Sequence, residues 1–223
     1  MKGPAALVLA AAVALPAIAS AQGSGGDVPH AGTFEISGGV QSTGGYRFDT
    51  ALANETRNPS TGADPLTLFQ GEPQVTKGIG VAAHLGIFVS ARWSVEGGVQ
   101  VTRPSLRVRT SGDFEGAADT TAESPLTEYV VDGSLLYHFG RGSFVPFALA
   151  GGGYVRQVLE DASMIDTGNE VHGGGGLKYW FGNRRFGLRA EARASSRSGG
   201  VSLDPSSKRR FVPTFSAGAA YLF

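Results

Sequence analysis

The side chains best suited to chemistry in this 223-residue sequence fall into three sets. His84, His138 and His172 could ligate a metal ion. Glu35, Glu96, Asp132, Lys178, Arg189, Glu191 and Arg193 could neutralise one another or line a polar path. Arg107, Arg109, Lys208, Arg209 and Arg210 could hold phosphate oxygens through charge and guanidinium forks. Two glycine runs, Gly151–Gly153 and Gly173–Gly176, look superficially like phosphate loops, but neither is followed by Lys-Ser/Thr and neither opens a helix. Composition removes other chemistries. With no cysteine there is no disulfide, thiolate zinc site or cysteine nucleophile, and 19 basic against 19 acidic residues exclude a generally basic nucleic-acid binder. No nucleic-acid partner and no cofactor are expected.

The elements that position these residues begin after an export signal. Lys2 precedes an apolar run from Ala5 to Ile18, and Ala19-Ser20-Ala21 supplies a small-x-small cleavage pattern. Residues 1–21 are therefore expected to be a cleaved signal peptide, residues 22–32 a lead-in, and residues 33–223 a single domain. Later segments hold no run of apolar residues long enough for a spanning helix.

Beyond the lead-in, apolar and polar or small residues alternate, the period of a β-strand. The pattern predicts strands over 33–47, 78–90, 94–109, 126–140, 144–159, 169–182, 185–196 and 210–223. Tight turns are expected near Ala91-Arg92, Arg141-Gly142 and Asn183-Arg184, and long polar loops over 48–77, 110–125, 160–168 and 197–209. Short turns at one end and long loops at the other describe an all-β, eight-stranded antiparallel up-and-down transmembrane β-barrel. One face of each strand is apolar (Ile79, Val81, Leu85, Ile87 and Val89, for instance). The other carries glycine and the titratable residues, which places a polar lumen inside and an apolar face toward lipid. Phe88, Trp93, Tyr137, Phe139, Tyr179, Phe181, Phe186 and Tyr221 cluster near the short turns and are expected to form an interfacial aromatic girdle. Tyr46, Tyr129 and Phe211 could begin a sparser second ring.

The signal peptide, the turn and loop alternation and the final strand "FSAGAAYLF" together resemble the small eight-stranded outer-membrane barrels, the OmpA/OmpX-like outer membrane protein β-barrel domain family. The resemblance implies that Phe215, Tyr221 and Phe223 form the terminal signal read by the outer-membrane assembly machinery. It also implies a place in the outer membrane of a Gram-negative-type bacterium. There Arg107, Arg109, Lys208, Arg209 and Arg210, near the long loops, could meet lipopolysaccharide phosphates. Arg103, Arg156 and Arg197 are expected on the same rim. The sequence departs from OmpA in ending at the barrel, so a cell-wall tether is not expected.

Within that frame, the histidines sit about 6, 2 and 10 residues above the short turns, too far apart at ~3.3 Å per residue to share an ion, so no metal site is expected. Lipid A deacylases and acyltransferases occur among such barrels, but His138 is followed by Phe139-Gly140, and no local His-x-Ser pair is present. A non-enzymatic, monomeric barrel with a structural or interaction role, long outer loops and a lumen closed by charge pairing is the expectation. The alternatives are a small pore for ions or solutes and, behind it, a lipid A-modifying enzyme with a serine and histidine brought together from distant strands.

Overall fold

Alternation gives each strand one wet and one greasy face, and a sheet with such faces can cross a bilayer only by closing on itself. The computed structural model describes residues 29–54, 66–160, 164–182, 184–201 and 209–223. Their regular structure is β1 (Phe34–Thr43), β2 (Tyr46–Arg47), β3 (Ala51–Asn54), β4 (Thr67–Val75), β5 (Gly78–Phe88), β6 (Trp93–Arg103), β7 (Ser105–Ser111), β8 (Thr120–His138), β9 (Phe144–Leu159), β10 (Met164–Trp180), β11 (Phe186–Gly199) and β12 (Arg210–Leu222). Strands β1, β5, β6, β8, β9, β10, β11 and β12 pair antiparallel with their neighbours, and β12 pairs back onto β1. The eight-stranded barrel is closed.

The long-loop end differs from the expectation. The first predicted strand does not run to residue 47. The β1–β12 ladder stops at the pair Thr43↔Thr214, because Pro213 next along has no N–H to offer. Gly44 instead donates its N–H to the Pro213 carbonyl at 2.7 Å, and a Cβ on Gly44 would lie 2.6 Å from the proline ring. The chain then leaves the barrel wall, and Tyr46 pairs with Val75 of β4. Pro104 likewise divides the predicted strand 94–109 into β6 and β7. The predicted loops 48–77 and 110–125 therefore contain paired β-structure: β3 and β4, and the start of β8, whose residues Thr120 to Pro125 pair with β7. The predicted loop 160–168 is mostly strand too, since β9 reaches Leu159 and its partner β10 starts at Met164. Among the described residues, a small sheet of β2, β3, β4 and β7 rises from the start of β8.

The turn end follows the expectation where it is described. Val89 and Trp93 close one hairpin and Phe181 and Phe186 another, with Arg184 in the left-handed region at φ 57°. On the outer surface, Ile79, Val81, Leu85, Ile87 and Val89 are all exposed. Ten residue steps at an axial rise of ~2.5 Å give an apolar belt of about 25 Å, the height of a bilayer's hydrocarbon band.

Candidate functional site

Inward positions place the titratable residues in a lattice that crosses the barrel. Arg189 of β11 grips Glu96 of β6 through both terminal nitrogens, at 2.6 and 2.8 Å. The same guanidinium reaches Glu191 at 2.5 Å, Ser37 at 3.0 Å and Glu35 at 3.6 Å. Lys178 of β10 donates to Glu35 of β1 at 2.7 Å. Arg193 bonds Glu191, lies 3.3 Å from Asp132 and approaches His84 at 3.3 Å. Gln100 carries the lattice on, donating to Asp132 at 2.6 Å and accepting from Gln41 at 2.8 Å. The seven charged residues named from the sequence thus share one connected cluster, each buried.

Room for the inward side chains comes from glycines at the paired positions of neighbouring strands. A Cβ on Gly98 would stand 2.7 Å from the His84 ring and 3.0 Å from Asp132, and one on Gly176 would stand 2.7 Å from the Phe147 ring. Below the charges, toward the turns, the lumen is apolar. Phe88, Val145, Trp180, Ala220 and Leu222 pack together, with Leu136, Phe147 and Leu149 beside them. Lys178 Nζ lies 5.2 Å from the Phe147 ring centre and Arg189 Cζ 5.1 Å, so the floor also faces the cations. The space left beside Phe88, His138, Lys178 and Trp180 is about 20 Å³, room for roughly one water.

A second cluster, missed in the sequence, lies higher. Arg197 spans Glu128 and Glu170, at 2.8 Å each, and Gln157 donates to Glu128 at 2.7 Å. Arg197 was expected on the solvated rim and is instead 6% exposed, because it continues the inward parity of Arg189 and Arg193 at every second residue. Above it, Phe48, Val75, Leu106, Leu126, Leu159 and Val201 form an apolar roof, to which the small sheet contributes Val75 of β4 and Leu106 of β7.

The histidines occupy three neighbourhoods: His84 by Arg193, His138 3.2 Å from Lys178, and His172 by Ser134. Ser134 Oγ and His172 Nε2 are 2.8 Å apart, and His172 Nδ1 is 3.3 Å from Glu170. This serine–histidine–carboxylate row joins β8 to β10 across Gly151 of β9, a juxtaposition set by register and invisible to local spacing.

The girdle needs one correction. Phe88 is 3% exposed and belongs to the lumen floor, since its neighbours Ile87 and Val89 take the lipid side. Nearness to a turn fixes a residue's height and says nothing of its face. Trp93, Phe139, Tyr179, Phe181, Phe186 and Tyr221 do face outward and Tyr137 is partly exposed; Trp93–Tyr137, Tyr137–Phe139 and Tyr179–Phe181 touch. Phe215 and Phe223 are outward and 60% exposed, and the Phe223 N–H donates to the Phe34 carbonyl at 2.9 Å. Of the upper aromatics, Tyr129 and Phe211 face outward, whereas Tyr46 packs against the roof.

The outer arginines separate into two groups. Arg107 of β7 pairs with Glu123 of β8 at 3.0 Å, and Arg109 of β7 pairs with Asp119 at 2.8 Å and with Glu72 of β4 at 3.7 Å. The hydrogen bond from Arg107 holds the Glu123 carboxyl below its usual value, and Asp119 raises Arg109. Arg209 and Arg210 stand elsewhere, at the head of β12 across from Arg47, around a cavity of about 250 Å³. Lys208 lies outside the described residues.

Residues 5–223 match the family described as the outer membrane protein beta-barrel domain. No curated protein matches significantly. Among solved structures, the outer membrane protein OprG from Pseudomonas aeruginosa superposes with a TM-score of 0.58 at 14% identity, over 88% of this chain and 99% of that one. Ail, the attachment invasion locus protein of Yersinia pestis, gives 0.44 at 17% identity, over 86% and 99%.

Proposed function

Because the chain belongs to the outer membrane protein beta-barrel domain family, and so to the bacterial outer membrane, we propose that it is a closed barrel with an interaction role, not a pore. The observation that carries this reading is the grip of Arg189 on Glu96, tied on both sides to Glu35 and Glu191. An eight-stranded barrel is just wide enough for side chains to fill it. Its cross-section here is occupied by long charged groups held by partners on opposite walls. Opening a path would require parting these buried pairs, and leaving one partner of such a pair uncompensated costs about 3–5 kcal/mol. The apolar floor below and the roof above support the same conclusion. What remains available to partners is the sheet of β2, β3, β4 and β7 on the long-loop side.

Single-channel recording in planar bilayers tests the reading. The unmodified protein is expected to show no large stable conductance, and Arg189→Ala is expected to introduce one. A steady open level in the unmodified protein would support the pore instead.

The Ser134–His172–Glu170 row favours a hydrolase less than its geometry alone suggests. Ser134 pairs in register with Glu96 on one side and Gly151 on the other, so no free oxyanion donor is available from its strand. Glu170 is already committed to Arg197, and none of the described cavities is lined by Ser134 or His172. We assign the row a structural role, bridging β8 and β10 over a glycine.

A further inference from the structure

Where β1 turns away at Gly44, the upper part of β12 loses its neighbour on that side, and the gap between β12 and β2 is the 250 Å³ cavity. Among the described residues its walls carry Arg47, Arg209 and Arg210 against one carboxylate, Asp49. The ion pairs formed among the described residues use none of these three arginines, whereas Arg107 and Arg109 are matched by acids on neighbouring strands. Arg210 is also pre-positioned. Its Cζ lies 4.5 Å from the Phe48 ring centre and 5.4 Å from that of Tyr46, and Nη1 donates to the Gly199 carbonyl at 3.5 Å, contacts that hold the guanidinium plane while leaving its other N–H groups to donate.

The height of the cavity narrows its ligand. Phe211, on its wall, is 67% exposed and shares the lipid-facing side of β12 with Phe215. From Phe223 to Phe211 the strand climbs twelve residues, about 30 Å at ~2.5 Å each, which sets Phe211 at the upper edge of the apolar belt. Residues 209 and 210 then stand at the level of the outer-leaflet headgroups. A cavity with a threefold excess of guanidinium over carboxylate, opening beside a lipid-facing aromatic at that level, fits a phosphate attached to a membrane glycolipid.

We propose that Arg47, Arg209 and Arg210 form a binding site for the phosphate group of an outer-leaflet phosphoglycolipid, with Phe211 against its apolar part. The proposal deepens the interaction reading by naming a partner for the barrel's outer end. Its test reads lipid binding, not conductance, so either reading can fail alone.

The test titrates the full chain, folded in detergent micelles, with bisphosphorylated lipid A, with the same lipid stripped of phosphate, and with inorganic phosphate, and reads bound lipid by native mass spectrometry. Removing the phosphates is expected to weaken binding at least about tenfold, as is the double substitution Arg47→Gln/Arg209→Gln. Both substituted residues are solvent-exposed, and heat-modified gel mobility confirms that the barrel still closes. Arg109→Gln is expected to leave binding unchanged. Undiminished binding by the double variant, an equal loss in Arg109→Gln, or displacement of the lipid by millimolar inorganic phosphate each overturns the proposal, the last by showing a site for a soluble anion.

Discussion

Arginine meets carboxylate in two places in this molecule, and the surroundings make them different interactions. In the lumen, the side chains of Arg189, Arg193 and Arg197 and of their carboxylate partners are at most 7% exposed. On the small outer sheet, the Arg107–Glu123 and Arg109–Asp119 pairs are 43 to 53% exposed. Outside, water screens the attraction and can take over either partner, so a pair contributes little. Inside, neither partner has a substitute, and each charge depends on the others remaining. The same chemistry is structural in one region and close to optional in the other.

Breaking the buried side should produce the largest effect. Arg189→Ala leaves Glu96, Glu191 and Glu35 facing one another, and its unfolding free energy in urea, followed by tryptophan fluorescence in lipid vesicles, is expected to fall by about 3–5 kcal/mol. Glu96→Gln should cost less, because Arg189 keeps Glu191 and Glu35. The double variant should lose less than the two single losses added, as expected for residues in one network. Additive losses would mean that the pair is not coupled.

Next in size is Gly151→Ala, which touches no charge. The added Cβ would stand 2.7 Å from His172 Nε2, 2.8 Å from Ser134 Oγ and 2.1 Å from the Gly133 carbonyl. Overpacking of this kind costs about 1–3 kcal/mol, measured by the same urea titration. An unchanged midpoint would show that the row between β8 and β10 has slack that the structure does not.

How far the sequence foretold these two regions differs as well. Period-two alternation identified the inward charges on β1, β6, β8, β10 and β11, since Glu35, Glu96, Asp132, Lys178 and Arg189 each sit between outward apolar or small neighbours. It could not say which carboxylate each cation would meet. That depends on the register of strands distant in sequence, and the Ser134–His172 contact is the clearest instance. For Phe88, height above the turn suggests the girdle, and only its parity with Gly86 and against Ile87 shows that it points inward. The outer sheet was concealed by its polar composition, although Pro104 and Pro213 were there to mark where the barrel ladders end. Arg197 is the same case as Phe88 at the other end of the barrel: its loop-end position suggests the rim, while its parity with Arg189 and Arg193 is plainly inward.

On the exposed side, Arg109→Ala is expected to leave the urea midpoint within experimental scatter, and a loss comparable to that of Arg189→Ala would remove the contrast between the regions. The smallest effect is one of pH. Glu123 is held below the usual 4.5 by its hydrogen bond from Arg107. A group with a lowered folded value stabilises fully above its unfolded value and loses that contribution as pH falls through the lowered one. A carboxyl-detected NMR titration should therefore place Glu123 below 4.5, and Arg107→Gln should move it back up. A midpoint indifferent to that substitution would mean that the pair does not persist in solution.

The ladder between β1 and β12 joins Glu35 to Leu222 and Thr43 to Thr214, the two ends of the barrel domain. Every other wall pairing joins strands much nearer in sequence, so hairpins such as β9–β10 and β10–β11 can form early, while this seam cannot exist until the last strand arrives. Bringing such distant segments together carries the largest loop-closure entropy in the fold and predicts slow, late closure. Until then Arg189 on β11 has no Glu96 and Lys178 on β10 has no Glu35, so a half-built wall would expose unpaired charge to hydrocarbon. The order of assembly is therefore constrained by electrostatics: an open intermediate is penalised inside the bilayer, and closing the ring and neutralising its interior become one kinetic event.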